Sequence, residues 1–131
     1  MGSLHLERIT ESSFDSLVDH CDEPIFLCFE AVWCFPCKML APILEALATE
    51  YKGLVLVGSV DTESNSNLAH RFSVSALPTV LIFHRGKLIK TCQGSRSRRE
   101  YARFLDSLLN EGNDGLRLSN GPFIANSPLN Y

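Results

Sequence analysis

The stretch "AVWCFPCKML", Ala31 to Leu40, holds two cysteines three positions apart with a proline between them. An unbroken apolar run, Ile25 to Phe29, precedes it and is typical of a strand buried on both faces. An amphipathic helical pattern follows it as far as Tyr51. The pair therefore lies at the junction between a strand and a helix. Taken alone, it fits a disulfide that cycles, half of a zinc site, or a static disulfide.

The patterns along the rest of the chain predict alternating strands and helices. In chain order they are a weak strand at Leu4 and Leu6, a helix over Phe14 to Cys21 that Pro24 ends, strands over Ile25 to Phe29 and Leu54 to Val60, a short helix over Leu68 to Phe72, a hairpin of Thr79 to Phe83 with Leu88 to Cys92, and a last helix behind a capping box of Ser97 and Glu100.

This order of elements predicts an α/β fold. Early alternation of strands and helices implies a central parallel pair of strands, and the hairpin adds antiparallel ones. We expect a mixed sheet of about five strands flanked by about four helices. Residues 1–110 form this domain, and residues 111–131 form a C-terminal extension. The extension is rich in glycine, asparagine, serine and proline but carries several apolar side chains, so it is either a flexible end or a docked tail.

Composition excludes several classes of protein. With 131 residues and 45% hydrophobic side chains, the chain can bury a core without disulfide staples. Its five cysteines are an odd number, which disfavours a disulfide framework and indicates a reducing compartment such as the cytoplasm. We find no signal-peptide pattern and no run of the ~20 apolar residues that span a bilayer. A net charge of −3, with the acidic residues concentrated in the first half, is not typical of nucleic-acid binding. We therefore expect neither a membrane nor a nucleic-acid partner.

Two motifs make the sequence resemble the thioredoxin family. The family's Trp-Cys-Gly-Pro-Cys-Lys, at the start of a helix, matches "WCFPCK", Trp33 to Lys38. Its cis-proline ahead of a strand matches Leu77-Pro78-Thr79 within "VSALPTVLIF". The resemblance runs from about Leu4 to Asn110 and implies a thioredoxin fold. It also implies a protein disulfide reductase that acts on disulfide-containing proteins, takes electrons from a thioredoxin reductase or a similar donor, and needs no cofactor or metal.

The spacing of the two cysteines explains how such a site works. Three residues apart on a helix, their Cβ atoms come within ~5–6 Å of each other. Unpaired N–H groups and the positive end of the helix dipole favour a thiolate there. We expect Cys34, exposed at the start of the helix, to be the nucleophile and Cys37 to be the resolving thiol. The resemblance implies a substrate-binding surface made of Trp33, Phe35, Pro36, Leu77, Pro78 and Gly94.

The sequence departs from the family at four positions. Phe35 replaces the usual glycine, Cys28 a buried aspartate, Val57 the lysine that accompanies this aspartate, and Glu30 a second tryptophan. That aspartate is thought to accept the proton of the resolving cysteine. Because Cys28 and Glu30 point to the same face of their strand, we hypothesise that Glu30 partly substitutes for it. The alternative is that Glu30 points into solvent.

Other interpretations stay open at this point. A zinc site needs two further ligands, and the sequence has no second Cys-x-x-Cys and no paired histidines. Cys28 is best explained as a small apolar residue of the core. A different class of function is an interaction module in which Phe35, Leu77 and the tail dock one dedicated partner, with redox chemistry secondary.

Overall fold

A computed structural model describes residues 6–113, so the predictions about Leu4 and the end of the C-terminal extension lie outside the described residues. The elements are β1 (Glu7–Arg8), α1 (Glu11–His20), β2 (Ile25–Glu30), α2 (Phe35–Glu50), β3 (Leu56–Asp61), α3 (Ser66–Arg71), β4 (Thr79–His84), β5 (Lys87–Gln93) and α4 (Arg98–Asn113). The predicted number and order of helices and strands are confirmed.

The strands form one mixed sheet in the order β1-β3-β2-β4-β5. Strand β3 is parallel to both β1 and β2, whereas β4 is antiparallel to β2 and β5. The hairpin turn holds Arg85 at φ 54° and Gly86 at φ 80°, two successive left-handed residues as a two-residue hairpin loop requires. The α/β prediction, with a central parallel pair and an antiparallel hairpin, is confirmed.

Some predicted boundaries are wrong by one or two residues. Strand β3 begins at Leu56 rather than Leu54. The reason is the end of α2, where the N–H groups of Leu54 and Val55 both donate to the carbonyl of Tyr51, at 2.8 and 2.9 Å. These two residues therefore complete the helix terminus and do not join the sheet. Helix α3 begins at Ser66, two residues before the predicted start at Leu68.

The described residues fall into two compact units, and the first ends at Ser95. In this unit α1 and α3 cover one face of the sheet through a buried cluster that includes Phe14, Leu27 and Leu68. Phe14, Phe72 and Phe83 meet pairwise edge to face, with ring centroids 5.4 Å apart, a favoured geometry for aromatic side chains.

The opposite face of the sheet is also buried and lies under α2. Phe26, Cys28, Val57 and Ser59 point to this face and are each at most 1% exposed. Cys28 and Ser59 are register partners on neighbouring strands. Burial on both faces explains the unbroken apolar run of β2. The C-terminal end of β2 meets the first turn of α2, which positions the site.

The second unit begins at Arg96 and contains α4. Its predicted capping box is confirmed: the Glu100 N–H donates to Ser97 Oγ at 3.1 Å, and the Ser97 N–H donates to Glu100 Oε1 at 3.1 Å. The pKa of Glu100 is lowered, chiefly because its carboxylate accepts this hydrogen bond from the Ser97 backbone N–H. Helix α4 continues to Asn113, past the predicted domain boundary.

Candidate active site

A disulfide joins Cys34 and Cys37 at the start of α2, with Cα atoms 5.3 Å apart. Cys34 is the N-cap of the helix, and Phe35 is its first helical residue. Pro36 follows in the first turn, where the N–H that proline lacks would have no partner within the helix. The local sequence therefore starts the helix at the first cysteine and places the second one turn inside it.

The two sulfur atoms have different electrostatic surroundings. The backbone N–H of Cys37 donates to Cys34 Sγ at 3.2 Å, which is the hydrogen bond of an N-cap side chain. Cys34 Sγ thus occupies the place where a helix N-terminus best stabilises negative charge. This arrangement distinguishes Cys34 from Cys37 in a way that the spacing alone does not.

The prediction that Cys34 is exposed is wrong for the disulfide form. Cys34 is 5% exposed and Cys37 is 3% exposed, so both are buried. They pack in one cluster with Ala31, and the half-buried Leu77 contacts this cluster. Both sulfurs are therefore reached only past the side chains around them.

Large apolar side chains that are exposed lie close in sequence to the buried pair. Of the seven large apolar residues that are exposed in the described part of the chain, four lie within a short stretch: Val32 at 72%, Trp33 at 65%, Phe35 at 67% and Met39 at 61%. Phe35 and Met39 are one helical turn apart and hence neighbours on the surface of α2. We call these four residues the apolar rim. The site residues predicted from the sequence did not include Val32 or Met39. Met39 lies four residues after Phe35, and this helical spacing is a signal that could have identified it.

The loop before β4 lies against the cysteines. Its Leu77–Pro78 peptide bond is cis. The carbonyl of Pro78 accepts a 2.8 Å hydrogen bond from the N–H of Gly94, which has φ +80°. Thr79 Oγ1 donates to the carbonyl of Ala76 at 2.6 Å and closes the loop from the other side. The structure therefore brings Leu77, Pro78 and Gly94 together near the disulfide.

Trp33 has a polar partner that sequence analysis did not identify. Its indole N–H donates to a carboxylate oxygen of Glu63. Glu63 lies in the turn after β3, where its own N–H donates to Asp61 Oδ1 at 3.1 Å. No sequence motif links these positions, because the strand pairing alone brings the two loops together.

Glu30 and Cys37 line the same pocket, which has a volume of about 340 Å³. Arg8, Lys38 and Asp61 are among its other lining residues. The side chain of Glu30 is only 25% exposed, and its Oε2 lies 4.0 Å from Arg8 Nη1. Burial raises the pKa of Glu30, the Arg8 cation opposes this shift, and the Asp61 carboxylate adds to it. Glu30 therefore faces the helix of the active site.

The other cysteines lie apart from the pair. Cys28 is 0% exposed, as expected for a residue of the core. Burial, and secondly the charge of Glu30, raise the pKa of Cys28 far above that of an ordinary thiol. Burial also raises the pKa of Cys21, which is half-buried. Within residues 6–111 no three histidine, cysteine or acidic side chains come close enough to hold a metal ion. Nor is any helix of that part long and apolar enough to cross a membrane.

A mixed sheet, a cysteine pair at a helix N-terminus and a cis-proline loop beside it are the arrangement of a thiol–disulfide oxidoreductase. The family model described as Thioredoxin matches residues 5–107. A thioredoxin of Buchnera aphidicola is 37% identical over 103 residues, which is 79% of this chain and 95% of that protein. A thioredoxin of Acidithiobacillus ferridurans is 38% identical over 101 residues, 77% of this chain and 94% of that protein. The chain belongs to the thioredoxin family and is a thioredoxin-like protein-disulfide oxidoreductase.

A further relative has two activities in its name. The bifunctional thioredoxin reductase/thioredoxin of Mycobacterium leprae is 33% identical over 102 residues, 78% of this chain and 22% of that protein.

Proposed function

We propose that the protein reduces disulfides in other proteins with Cys34 as the nucleophile and Cys37 as the resolving thiol. The observation that carries this assignment is the hydrogen bond from the Cys37 N–H to Cys34 Sγ. Of the two sulfurs, Cys34 Sγ occupies the N-cap position, where backbone N–H groups stabilise a thiolate. A thiolate is the attacking species in thiol–disulfide exchange.

The reaction then proceeds in two exchanges. The Cys34 thiolate attacks one sulfur of the substrate disulfide, forms a mixed disulfide and releases the other substrate sulfur as a thiolate. Cys37 loses its proton and attacks Cys34 Sγ, which breaks the mixed disulfide and releases the second substrate sulfur. The substrate gains two electrons, and the Cys34–Cys37 disulfide forms. The protein must then be reduced again by an electron donor.

The surroundings of the pair suit a protein substrate. The apolar rim offers area that a protein segment can bury when it brings its disulfide to the buried sulfurs. Leu77 contacts the cysteine cluster, and within the described residues its backbone N–H and carbonyl have no hydrogen-bond partner. These groups can pair with an extended substrate segment, while Trp33, Phe35, Pro36, Pro78 and Gly94 shape the surface around it.

The electron donor is proposed to be a thioredoxin reductase or a similar enzyme. The fused relative of Mycobacterium leprae supports this, because its name joins a reductase and a thioredoxin in one chain. Cys21, Cys28 and Cys92 lie outside the disulfide, which suits a reducing compartment, and we propose a cytoplasmic location. We also propose that residues 111–131 are an extension of the catalytic domain.

The test compares insulin reduction by the wild-type protein and by Cys34→Ser, with a thioredoxin reductase as donor. We expect turnover by the wild type and none by Cys34→Ser. Cys37→Ser should accumulate a mixed disulfide with the substrate. A wild-type protein that neither reduces insulin nor accepts electrons, yet holds one partner when both cysteines are replaced, would favour the interaction module.

A further inference from the structure

We propose that Glu30 accepts the proton of Cys37 when Cys37 resolves the mixed disulfide, through water in the pocket that both residues line. This inference rests on the proposed function and adds a residue to its second step. The pocket of about 340 Å³ has room for water, and its polar lining can hold it.

The position of Glu30 is well defined. It is the last residue of β2, directly before the segment that leads to the cysteines. Its carbonyl accepts hydrogen bonds from the N–H of Thr62 at 2.9 Å and from Thr62 Oγ1 at 3.1 Å. Both hydrogen bonds use the backbone carbonyl of Glu30, so its carboxylate can face the pocket. For the same reason these bonds persist when the side chain is changed.

Other candidate proton acceptors near the pair are poorly suited. Cys28 is buried, keeps its proton because its pKa is raised, and does not line the pocket. Asp61 lines the pocket, but its two carboxylate oxygens accept hydrogen bonds from Glu63 N at 3.1 Å and Ser64 Oγ at 3.0 Å. Glu63 is bound to the indole of Trp33. Among the carboxylates of the described residues near the pair, Glu30 alone combines the shared pocket with a carboxylate that burial makes more basic.

Charged groups from three elements line the pocket with Glu30. Arg8 lies on β1, Asp61 is the register partner of Glu30 on β3, and Lys38 belongs to α2. Burial raises the pKa of Glu30, which brings it closer to the pKa of a thiol and makes the carboxylate a better proton acceptor. Arg8 and Asp61 shift the pKa in opposite directions, so they provide two independent ways to test the role.

The chemical step balances without any added reagent. The Cys37 thiol gives its proton to the Glu30 carboxylate through water. The resulting thiolate attacks Cys34 Sγ, so the Cys37–Cys34 bond forms and the bond between Cys34 and the substrate sulfur breaks. The substrate leaves as a thiolate with the electron pair of that bond. Glu30 then returns the proton to solvent.

The experiment separates the two exchanges with a chromogenic disulfide, DTNB, in stopped flow. Reduced protein releases one chromophore when Cys34 attacks and a second when Cys37 resolves. A Cys21→Ser background removes the half-buried thiol outside the pair. We expect Glu30→Gln to leave the first phase unchanged and to slow the second by at least about tenfold near neutral pH. Glu45→Gln, which changes a half-buried carboxylate of α2 outside the pocket, should leave both phases unchanged.

The pH profile distinguishes proton transfer from a structural role. The defect of Glu30→Gln should shrink as the pH rises, because hydroxide in the pocket water can then take the proton of Cys37 in place of Glu30. In the wild type the second phase should decline as the pH falls through the pKa of Glu30. Arg8→Gln removes the cation that lowers this pKa and should move the decline to higher pH. Asp61→Asn removes an anion that raises it and should move the decline to lower pH.

The outcomes separate this inference from the proposed function. An unchanged second phase in Glu30→Gln from about pH 5 to about pH 9 would overturn the role of Glu30 and leave the cysteine assignment intact. A Glu30→Gln defect that is equal at every pH would also overturn it, since that indicates structural damage. Failure of the proposed function would give a different result, because the first phase would then persist in Cys34→Ser.

Discussion

The backbone N–H of Cys37 donates to Cys34 Sγ at 3.2 Å, so the second cysteine of the pair supplies part of the charge stabilisation of the first. This contact belongs to the N-cap of α2 and exists because the helix begins immediately after Cys34. It makes the two sulfurs unequal although both are buried.

The first prediction concerns the order of alkylation. In the fully reduced protein, limited iodoacetamide near neutral pH should label Cys34 before any other cysteine, because its thiolate is stabilised by the helix N-terminus. Cys21 is less buried than Cys28 and Cys92, but burial and the Glu23 carboxylate keep it in the thiol form. Peptide mapping by mass spectrometry measures the order. Faster labelling of Cys21 would contradict the assignment of the nucleophile.

The second prediction concerns the apolar rim. Phe35→Ser and Met39→Ser remove exposed apolar area next to the disulfide without touching either cysteine. Each should raise the KM for insulin several-fold and leave DTNB reduction nearly unchanged, because a small disulfide does not need the rim. Leu54→Ser is the matched control, since Leu54 is also exposed, at 52%, but lies beyond the other end of α2. Equal effects of all three substitutions on insulin would show that the rim does not bind substrate.

Much of the fold could be predicted from local sequence. Periodic apolar residues predicted the helices, unbroken apolar runs predicted β2 and β4, and Ser97 with Glu100 predicted the start of α4. Strand β3 was placed two residues early, because Leu54 and Val55 are as apolar as a strand residue. Their hydrogen bonds to Tyr51 belong to a helix end, and an apolar pattern does not reveal such bonds.

The site was predicted less completely, for a physical reason. The cysteine motif is local and marked its own position, whereas the pocket of Glu30 is built from β1, β2, β3 and α2. Arg8 and Asp61 join it through strand pairing, which single-sequence patterns do not specify. The burial of Cys34 was missed for the same reason, because it depends on Leu77, which is distant in sequence.

The third prediction concerns Ser59, whose hydroxyl is the one buried side-chain N or O atom without a hydrogen-bond partner within the described residues. Ser59→Ala removes this unsatisfied group and should raise the free energy of unfolding by about 1 kcal/mol. Thr79→Val should lower it by about 1 kcal/mol, because Thr79 Oγ1 makes a hydrogen bond to Ala76. Urea denaturation measures both. A destabilised Ser59→Ala would reveal a partner of the hydroxyl.

The fourth prediction concerns redox potential. Phe35 adds an apolar ring between the cysteines but no cation that would further stabilise the Cys34 thiolate. The potential should lie nearer to the ~−270 mV of thioredoxin than to the ~−120 mV of a strong oxidant. Phe35→His should shift it toward oxidising values, while Phe35→Leu should not. Equilibration with glutathione measures all three. A wild-type potential at the oxidising end would contradict the reductase assignment.

The last prediction restores the carboxylate that the family has at the position of Cys28. A carboxyl group introduced by Cys28→Asp would be buried without a cation, because Val57 replaces the lysine. Burial should raise its pKa in the folded state above the unfolded value of about 3.9. Its penalty is therefore absent below about pH 4 and grows as the pH rises. Compared with Cys28→Asn, Cys28→Asp should lose free energy of unfolding steadily from about pH 4 to about pH 7.

A lysine at position 57 should reduce this loss. Phe26 pairs with Val57 and Cys28 with Ser59, so residues 28 and 57 are diagonal neighbours on one face of the sheet, within reach of a long side chain. Cys28→Asp with Val57→Lys should therefore be more stable at neutral pH than the sum of the two single changes, and its pH dependence should be flatter. Urea denaturation across this pH range gives the coupling directly. Strict additivity would show that the two positions do not interact.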